Sequence, residues 1–268
     1  MRILVTNDDG IDALGLQLLA QVLAESHEVY VVASDRERSA TGHAITMHKP
    51  IYPKPVSLPS TAMKAAWKVT GTPADCVKLG VQALLEERPD LVLAGINHGS
   101  NLGRDIFYSG TVSAALEGMF LGVASFALSA KTFDRRSLQF IAQFVRQWTI
   151  DGLPLPSSGE FFNVNFPDIE SAWPPKLVWV GLGHREYRDE FHRYQNPRGQ
   201  EYYWLSGEPW DRLDDSPSDV AAIEGGMIAA TPLHMDVSNW SKIHALQSII
   251  VTPPKEGDEG GIELRPDG

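Results

Sequence analysis

Cysteine is nearly absent: Cys76 is the single one in 268 residues. That excludes an internal disulfide framework and fits a reducing compartment. Long apolar runs are missing too, and the most lipid-like stretch, 118–130, is shorter than the roughly 20 residues a helix needs to cross a bilayer. The opening Met1-Arg2-Ile3-Leu4-Val5-Thr6-Asn7-Asp8-Asp9 reaches a double aspartate before the apolar core of a leader could form. Basic charge is scarce, with 23 Lys+Arg against 34 Asp+Glu and a formal net charge of -11. Such a surface repels polyanions at long range. The sequence therefore predicts a soluble cytoplasmic chain with no membrane partner and no nucleic-acid duplex as partner. A small anion in a local pocket stays open, because a bound metal reverses the sign of the field there. What remains is an ordinary globular composition, 43% hydrophobic and 21% charged, long enough for one large domain with its own core.

The first 130 residues alternate between strand and helix patterns. Arg2 to Thr6, Glu28 to Ala33, Leu91 to Ala94 and Ala124 to Ser129 are short aliphatic runs of strand type. Between them, Leu14, Leu18, Leu19, Val22 and Leu23 recur at helical spacing behind a capping Asp12. A second helix starts at Pro73 and stops before Arg88-Pro89-Asp90, and a third opens at Ser109-Gly110-Thr111. This alternation predicts a Rossmann-like α/β core with a mostly parallel sheet and helices on both faces. The prolines of 44–69 predict a projecting β-hairpin or irregular loop. A helix is expected at 136–147, short strands with long connections over 150–217, and a last helix at 238–250. The predicted organisation is one domain over 1–250, with a core at about 1–150, a strand-rich extension over 151–250 and a disordered tail at 253–268.

Four predicted loops should emerge on one sheet edge, the carboxyl ends of the strands, where open α/β sheets bind ligands. Asp8 and Asp9 end the first strand. Adjacent carboxylates repel, and a hard divalent cation such as Mg2+ or Mn2+ relieves that repulsion; a solvated Asx turn is the bland alternative. Gly95-Ile96-Asn97-His98-Gly99-Ser100-Asn101-Leu102-Gly103 follows the third strand and offers an amide oxygen at Asn97, with glycines that admit an anion to the backbone. Ser109, Gly110 and Thr111 form a helix N-terminus suited to phosphate, although Ser109 also reads as a plain N-cap. Ser39, followed by Thr41, Gly42 and His43, adds a hydroxyl ligand and small residues. His43 and His98 are candidate proton donors to a leaving group. Cys76 reads as a small buried hydrophobe. The cluster of Arg, His and Tyr from His184 to Arg193 reads as a solvated hairpin that could also touch a ligand or partner. Neither a dinucleotide glycine fingerprint nor a P-loop occurs.

Five motifs, Val5-Thr6-Asn7-Asp8-Asp9-Gly10, Ser39-Ala40-Thr41-Gly42, Gly71-Thr72-Pro73-Ala74-Asp75-Cys76-Val77, Gly95 to Gly103, and Tyr108-Ser109-Gly110-Thr111-Val112, resemble in order those of the SurE family of survival-protein nucleotidases. Asn196-Pro197-Arg198-Gly199 with Tyr202-Tyr203-Trp204, and Ala230-Thr231-Pro232-Leu233-His234, extend the resemblance to about residue 240. It implies a divalent-metal-dependent phosphomonoesterase acting on 5′- and 3′-nucleotides, with some members also trimming polyphosphate. It also implies one metal ion per subunit, with ligands matching Asp8, Asp9, Ser39 and Asn97. The implied fold is Rossmann-like, with a C-terminal extension exchanged between subunits of a homodimer or homotetramer, and the 44–69 segment is similar to the family's projecting hairpin.

On this basis Asp8 and Asp9 are expected to be catalytic, assisting a metal-activated water. Asn101, Ser109, Gly110 and Thr111 are expected to hold the phosphate. A covalent aspartyl-phosphate route is less favoured because Gly10 breaks the D-x-D arrangement. A Mg-nucleotide binding module without turnover and a metal-dependent sugar-nucleotide transferase are the competing functions.

Overall fold

The computed structural model describes residues 1–58, 62–152, 154–169, 175–212, 217–246, 249–252 and 261–264. Contacts divide the chain into two compact units, Met1–His234 and Met235–Gly268. The first holds a sheet formed by β1 (Arg2–Thr6), β2 (Glu28–Ser34), β3 (Pro53–Pro55), β4 (Ala65–Val69), β5 (Leu91–His98), β6 (Ala124–Ala130), β7 (Glu160–Phe166), β8 (Leu177–Trp179) and β11 (Ile228–His234). Their spatial order is β3-β4-β2-β1-β5-β6-β7-β11-β8. The six strands from β4 to β7 are mutually parallel, while β3 and β11 each run antiparallel to their inner neighbours.

Alternation along β1 explains the two layers. Ile3 and Val5 join Leu16 and Leu19 of α1 (Leu14–Leu23) and Leu138 and Ile141 of α4 (Arg135–Asp151) on one face. Leu4 points the other way, to Val77 of α2 (Pro73–Leu79) and Val112 and Ala115 of α3 (Gly110–Phe120). Each fully buried leucine of this kind contributes about 2 kcal/mol. The result is a doubly wound α/β fold in which β1 and β5 lie side by side at the centre, so their carboxyl ends share one edge.

Several boundaries differ from the sequence expectation. Asp12 does not cap α1; Ala13 takes that position with no side-chain bond, and its N–H donates to the Gly10 carbonyl at 3.0 Å. Helix α2 has a capping box instead, with Thr72 and Asp75 satisfying each other's N–H groups, and it continues into one π turn at Gly80–Leu84. Strand β5 does not stop at Ala94 but passes a register shift and runs to His98. Gly95 allows this: its φ is +142°, and a Cβ there would meet the Leu128 carbonyl oxygen at 2.4 Å. Helix α4 is longer than predicted because Asp134 accepts from the N–H groups of Arg136 and Ser137 at 2.8 and 3.0 Å.

The 44–69 segment is not the projecting hairpin. Its β4 lies in the sheet beside β2, with β3 on its outer edge. The projecting arm is β9 (His184–Gln195) with β10 (Glu201–Arg212), a separate two-stranded ribbon of twelve-residue strands. The expectation of short strands over 150–217 fails there, and β7 at 160–166 belongs to the core sheet. Asn196 closes the ribbon by accepting from the N–H groups of Arg198 and Gln200 at 2.9 and 3.0 Å. Helix α5 (Asp219–Glu224) leads back to β11.

The second unit contains α6 (Trp240–Leu246) and the antiparallel pair β12 (Ile249–Thr252) and β13 (Gly261–Leu264). The predicted last helix is thus shorter than 238–250. Part of the predicted tail is strand, and its remainder, 253–260 and 265–268, lies outside the described residues. Among the described residues no helix is long and apolar enough to cross a membrane. Cys76 is buried in the α2 layer, and burial pushes its thiol far above the usual range, which leaves it unreactive.

Candidate active site

The turn after β1 is built by its own residues. Asn7 donates to the Gly10 carbonyl at 3.1 Å and accepts the Gly10 N–H at 3.2 Å, which fixes Asp8 and Asp9 between them. Asp8 is 4% exposed and accepts a short hydrogen bond from the Thr111 hydroxyl. Gly110 lies flat against this carboxylate: a Cβ there would meet Asp8 Oδ2 at 2.8 Å. Burial raises the Asp8 pKa, opposed by the Thr111 hydroxyl and by the backbone N–H groups of Thr111 and Gly110. Asp9 is pushed up to about 6, first by burial and then by the Asp8 charge, with the His98 backbone N–H acting against both. Asp9 Oδ2 is buried without a hydrogen-bond partner.

Asp8 lies in a cleft of about 600 Å³ together with Ser39, Asn97, His98, Asn101 and Ser109. The volume falls within the range of roughly 300–1,000 Å³ typical of small-molecule sites. Asn97 donates its Nδ2 to the Gly99 carbonyl at 2.7 Å, so its Oδ1 is the free donor atom for a cation. Ser39 Oγ donates to Glu37 Oε1 at 2.7 Å and keeps its lone pairs. Two carboxylates, an amide oxygen and a hydroxyl are the hard donor set that Mg2+ or Mn2+ takes, and the unpartnered Asp9 oxygen beside a second buried carboxylate is the group such a cation satisfies. The residues present therefore fit a divalent metal.

Asn101 is held with unusual completeness. Its N–H donates to Asn165 Oδ1 at 2.8 Å, and its carbonyl accepts from Asn163 and Asn165 at 2.9 and 3.1 Å. Its own Nδ2 donates to Ser129 Oγ at 2.8 Å, leaving one N–H of the amide for a ligand. Ser109 caps α3 by accepting the Val112 N–H at 3.1 Å, and it also lines the cleft, so both readings of it coexist. Gly110 and Thr111 lie against Asp8: the Thr111 hydroxyl donates to its carboxylate, and both backbone N–H groups favour its charged form.

The remaining sequence candidates separate. His98 lines the cleft and stacks on Phe133 at 4.5 Å. Thr41, Gly42 and His43 do not line it. Thr41 donates to the Arg38 carbonyl at 2.8 Å, Gly42 N–H donates to the Tyr108 carbonyl at 3.1 Å, and His43 bonds Glu117 Oε2 at 2.9 Å. Glu117 also accepts from Lys78 at 2.7 Å, so this trio ties the 39–43 loop to α2 and α3. His43 thus serves as a tether in this structure.

Sequence reasoning allowed the 184–193 cluster a ligand contact without naming a residue for it; in the far wall of the cleft Tyr187 and Asp189 of that cluster are joined by Leu205 of the ribbon and by Arg104, Asp105 and Tyr108 of the core. The signal was present in the strict alternation Arg185, Tyr187, Asp189, which puts those three on one face of a strand. Arg185 bonds both Asp211 oxygens at 2.7 Å and Asp105 Oδ2 at 3.2 Å, while the Tyr187 hydroxyl donates to Asp105 Oδ1 at 2.8 Å. These bonds clamp the root of the ribbon to the 3-10 turn Gly103–Phe107.

A doubly wound sheet with hard oxygen donors and a helix N-terminus at its carboxyl edge defines a class: α/β proteins that hold a cation and an anionic ligand together. Comparison with known proteins narrows it. The family model described as survival protein SurE matches residues 3–189. A protein of Pelotomaculum thermopropionicum named 5′-nucleotidase SurE is 44% identical over 94% of this chain and 96% of its own length. One of the same name from Gloeobacter violaceus is 48% identical over 89% of this chain and 91% of its own. The crystal structure of the SurE protein from Aquifex aeolicus superposes with a TM-score of 0.73 at 35% identity, covering 92% of this chain and 98% of that one. The chain belongs to the SurE family.

Proposed function

We propose that this protein is a divalent-metal-dependent phosphomonoesterase that hydrolyses nucleoside 5′-monophosphates, and 3′-monophosphates as well, to nucleoside and phosphate. Similarity to proteins named 5′-nucleotidase supports the substrate class. The observation that carries the chemistry is the buried carboxylate pair, with the unpartnered Asp9 Oδ2.

Asp8, Asp9, Ser39 and Asn97 would hold one Mg2+ or Mn2+. Bound there, the cation supplies charge neutralisation at the phosphoryl group and a more acidic water. Asn101 and Ser109 orient the phosphoryl oxygens through donors that the core keeps fixed. Asp8, which lines the cleft, or Asp9, whose Oδ2 has no hydrogen-bond partner, takes the proton of the attacking water. Of the two histidines considered, His98 lines the cleft, which supports it over His43 as the group that gives a proton to the leaving oxygen. Direct attack by water, without a phospho-aspartate, follows the absence of a second aspartate at position 10.

The exposed aromatic side chains of the ribbon, among them Phe191, Tyr203 and Trp204, support a homodimer or homotetramer in which this arm is covered. Cytoplasmic residence fits the single cysteine.

Phosphate release from 5′-AMP, 3′-AMP and p-nitrophenyl phosphate, measured with EDTA, Mg2+ or Mn2+, tests the proposal. Turnover in metal that EDTA abolishes is the expected result. Nucleotide binding without release under any metal would make the protein a binding module instead.

A further inference from the structure

The cleft is lined by two unlike sets of residues. From the sheet edge come Asp8, Asn97, Asn101 and Ser109, the groups for a metal and a phosphoryl group. From the ribbon come Tyr187, Asp189 and Leu205. The charges around the ribbon's share of the lining are two arginines, Arg104 and Arg185, against three aspartates, Asp105, Asp189 and Asp211. Arg185 is committed to Asp105 and Asp211 by hydrogen bonds, and Arg104 lies over the Tyr187 ring at 5.9 Å. Asp189 is the acid of this group that lines the cleft without a share in that clamp.

The ribbon makes room for it. Asp189 pairs across the two strands with Gly207, and a Cβ on Gly207 would meet Asp189 Oδ1 at 2.6 Å. Glycine at this cross-strand position is unfavourable for a ribbon, since it weakens a strand and adds no packing. It is what lets the carboxylate fold across the partner strand. A larger residue at 207 would push the carboxylate away.

We infer that Asp189 is a specificity-determining residue: it makes the ribbon's share of the cleft a wall that accepts the uncharged body of a nucleoside monophosphate and repels a second phosphate. This inference rests on the phosphomonoesterase reading and deepens it. A substrate with its phosphoryl group at the metal site must place the rest of itself towards the ribbon. A nucleoside brings hydroxyls there, which a carboxylate accepts as hydrogen-bond donors, together with a ring that Tyr187 and Leu205 can contact. A nucleoside diphosphate or a polyphosphate with its terminal phosphoryl group at the metal site brings negative charge towards Asp189. Of the substrates the family resemblance opens, polyphosphate is the one this wall disfavours. Arg104 acts in the opposite sense, softening the wall for anions.

The test compares specificity constants within each variant, so that a general loss of activity cancels. kcat/KM is measured for 5′-AMP, ADP and tripolyphosphate with wild type, Asp189→Asn and Arg104→Gln, at low and high salt. Asp189→Asn is expected to raise the ADP-to-AMP and tripolyphosphate-to-AMP ratios by about tenfold at low salt, the size of one partly screened charge near a phosphate. That gain should shrink at high salt. Arg104→Gln should lower both ratios. Gly207→Val, which displaces the carboxylate without removing it, should move them in the direction of Asp189→Asn. Unchanged ratios in Asp189→Asn, or a shift independent of salt, would overturn the inference. If wild type releases no phosphate from any of the three, the phosphomonoesterase reading falls separately. Calorimetric binding of ADP relative to AMP, in wild type and Asp189→Asn, then decides the wall by the same ratio.

Discussion

Strand β1 and strand β9 both present aspartates to the same cleft, and they are opposites in every other respect. Strand β1 is central and parallel, its aliphatic side chains Ile3, Leu4 and Val5 are fully buried, and the carboxylate of Asp8 at its end is fixed by a hydroxyl and backbone N–H groups from α3. Strand β9 belongs to a ribbon outside the main sheet, most of its residues are exposed, and it is held at its root by the charge network around Arg185. The difference teaches how the fold divides its work. Charge that must be positioned against a reacting phosphorus is placed where two helical layers and a sheet prevent movement. On the inference drawn above, recognition of the rest of the substrate falls to the ribbon, which lies outside the main sheet.

The largest effect should come from the rigid side. Asp8→Asn is expected to lower kcat by about 10³ or more, the scale of losing an electrostatic catalytic group, while the Tm of the metal-free protein holds or rises because a buried charge is removed. Steady-state kinetics and thermal denaturation check both halves; near-normal turnover would remove Asp8 from the catalytic machinery.

Next is the ribbon's root. Arg185→Ala leaves Asp105 and Asp211 facing each other without their cation and should cost about 2 kcal/mol, felt locally. Hydrogen exchange should accelerate in β9 and β10 and remain slow in β1 and β5. Uniform acceleration would mean the two regions are not separable.

A smaller effect follows for the tether between them. His43→Ala frees one side of Glu117 and loosens the loop that carries Ser39. The expected result is an about tenfold weaker metal affinity, the low end of the loss seen when a group supporting metal ligands is removed, measured by Mn2+ titration, with little change in Tm. Rescue by His43→Gln would identify the hydrogen bond as the cause.

The smallest is a pH effect. Burial and the Asp8 charge raise Asp9 to about 6 in the metal-free protein, and burial raises Asp8 as well. A carboxylate whose folded pKa exceeds its unfolded value costs nothing below the unfolded value and lowers stability as pH rises through the folded one. The metal-free protein should thus lose stability between about pH 4 and pH 6 from Asp9, with Asp8 acting in the same direction. The stabilisation gained on adding Mg2+ should be greater at neutral pH than at pH 5, because cation and proton compete for the same oxygens. Calorimetric melts with and without EDTA test this.

The core was legible because its strands and helices follow the two hydrophobic periods, and because Asp8 and Asn101 lie just beyond strand ends while Ser109 caps a helix. What the sequence hid had specific causes. Asn97 and His98 belong to β5 beyond an irregularity that only Gly95 allows, which no periodicity marks. Pro53 and Pro55 argued against a sheet at 44–69, yet they occupy β3 on the sheet edge, where a missing N–H is tolerated. Gly110 and Thr111 follow the pattern of a phosphate site, and their packing against the buried Asp8 is a contact that no sequence pattern marks. The sequence allowed the 184–193 cluster a ligand contact but named no residue for it, because Arg185 and Tyr187 clamp a turn some 80 residues away in sequence, a distance that pattern reading does not bridge.

The most direct test of this division is a pair of specificity constants in Arg185→Ala, for 5′-AMP and for p-nitrophenyl phosphate. Loosening the ribbon should lower kcat/KM for 5′-AMP by about tenfold, mostly through KM, and leave p-nitrophenyl phosphate within about threefold, since that substrate makes little use of the far wall. An equal fall for both would contradict the account, because the ribbon would then be supporting the reacting centre itself.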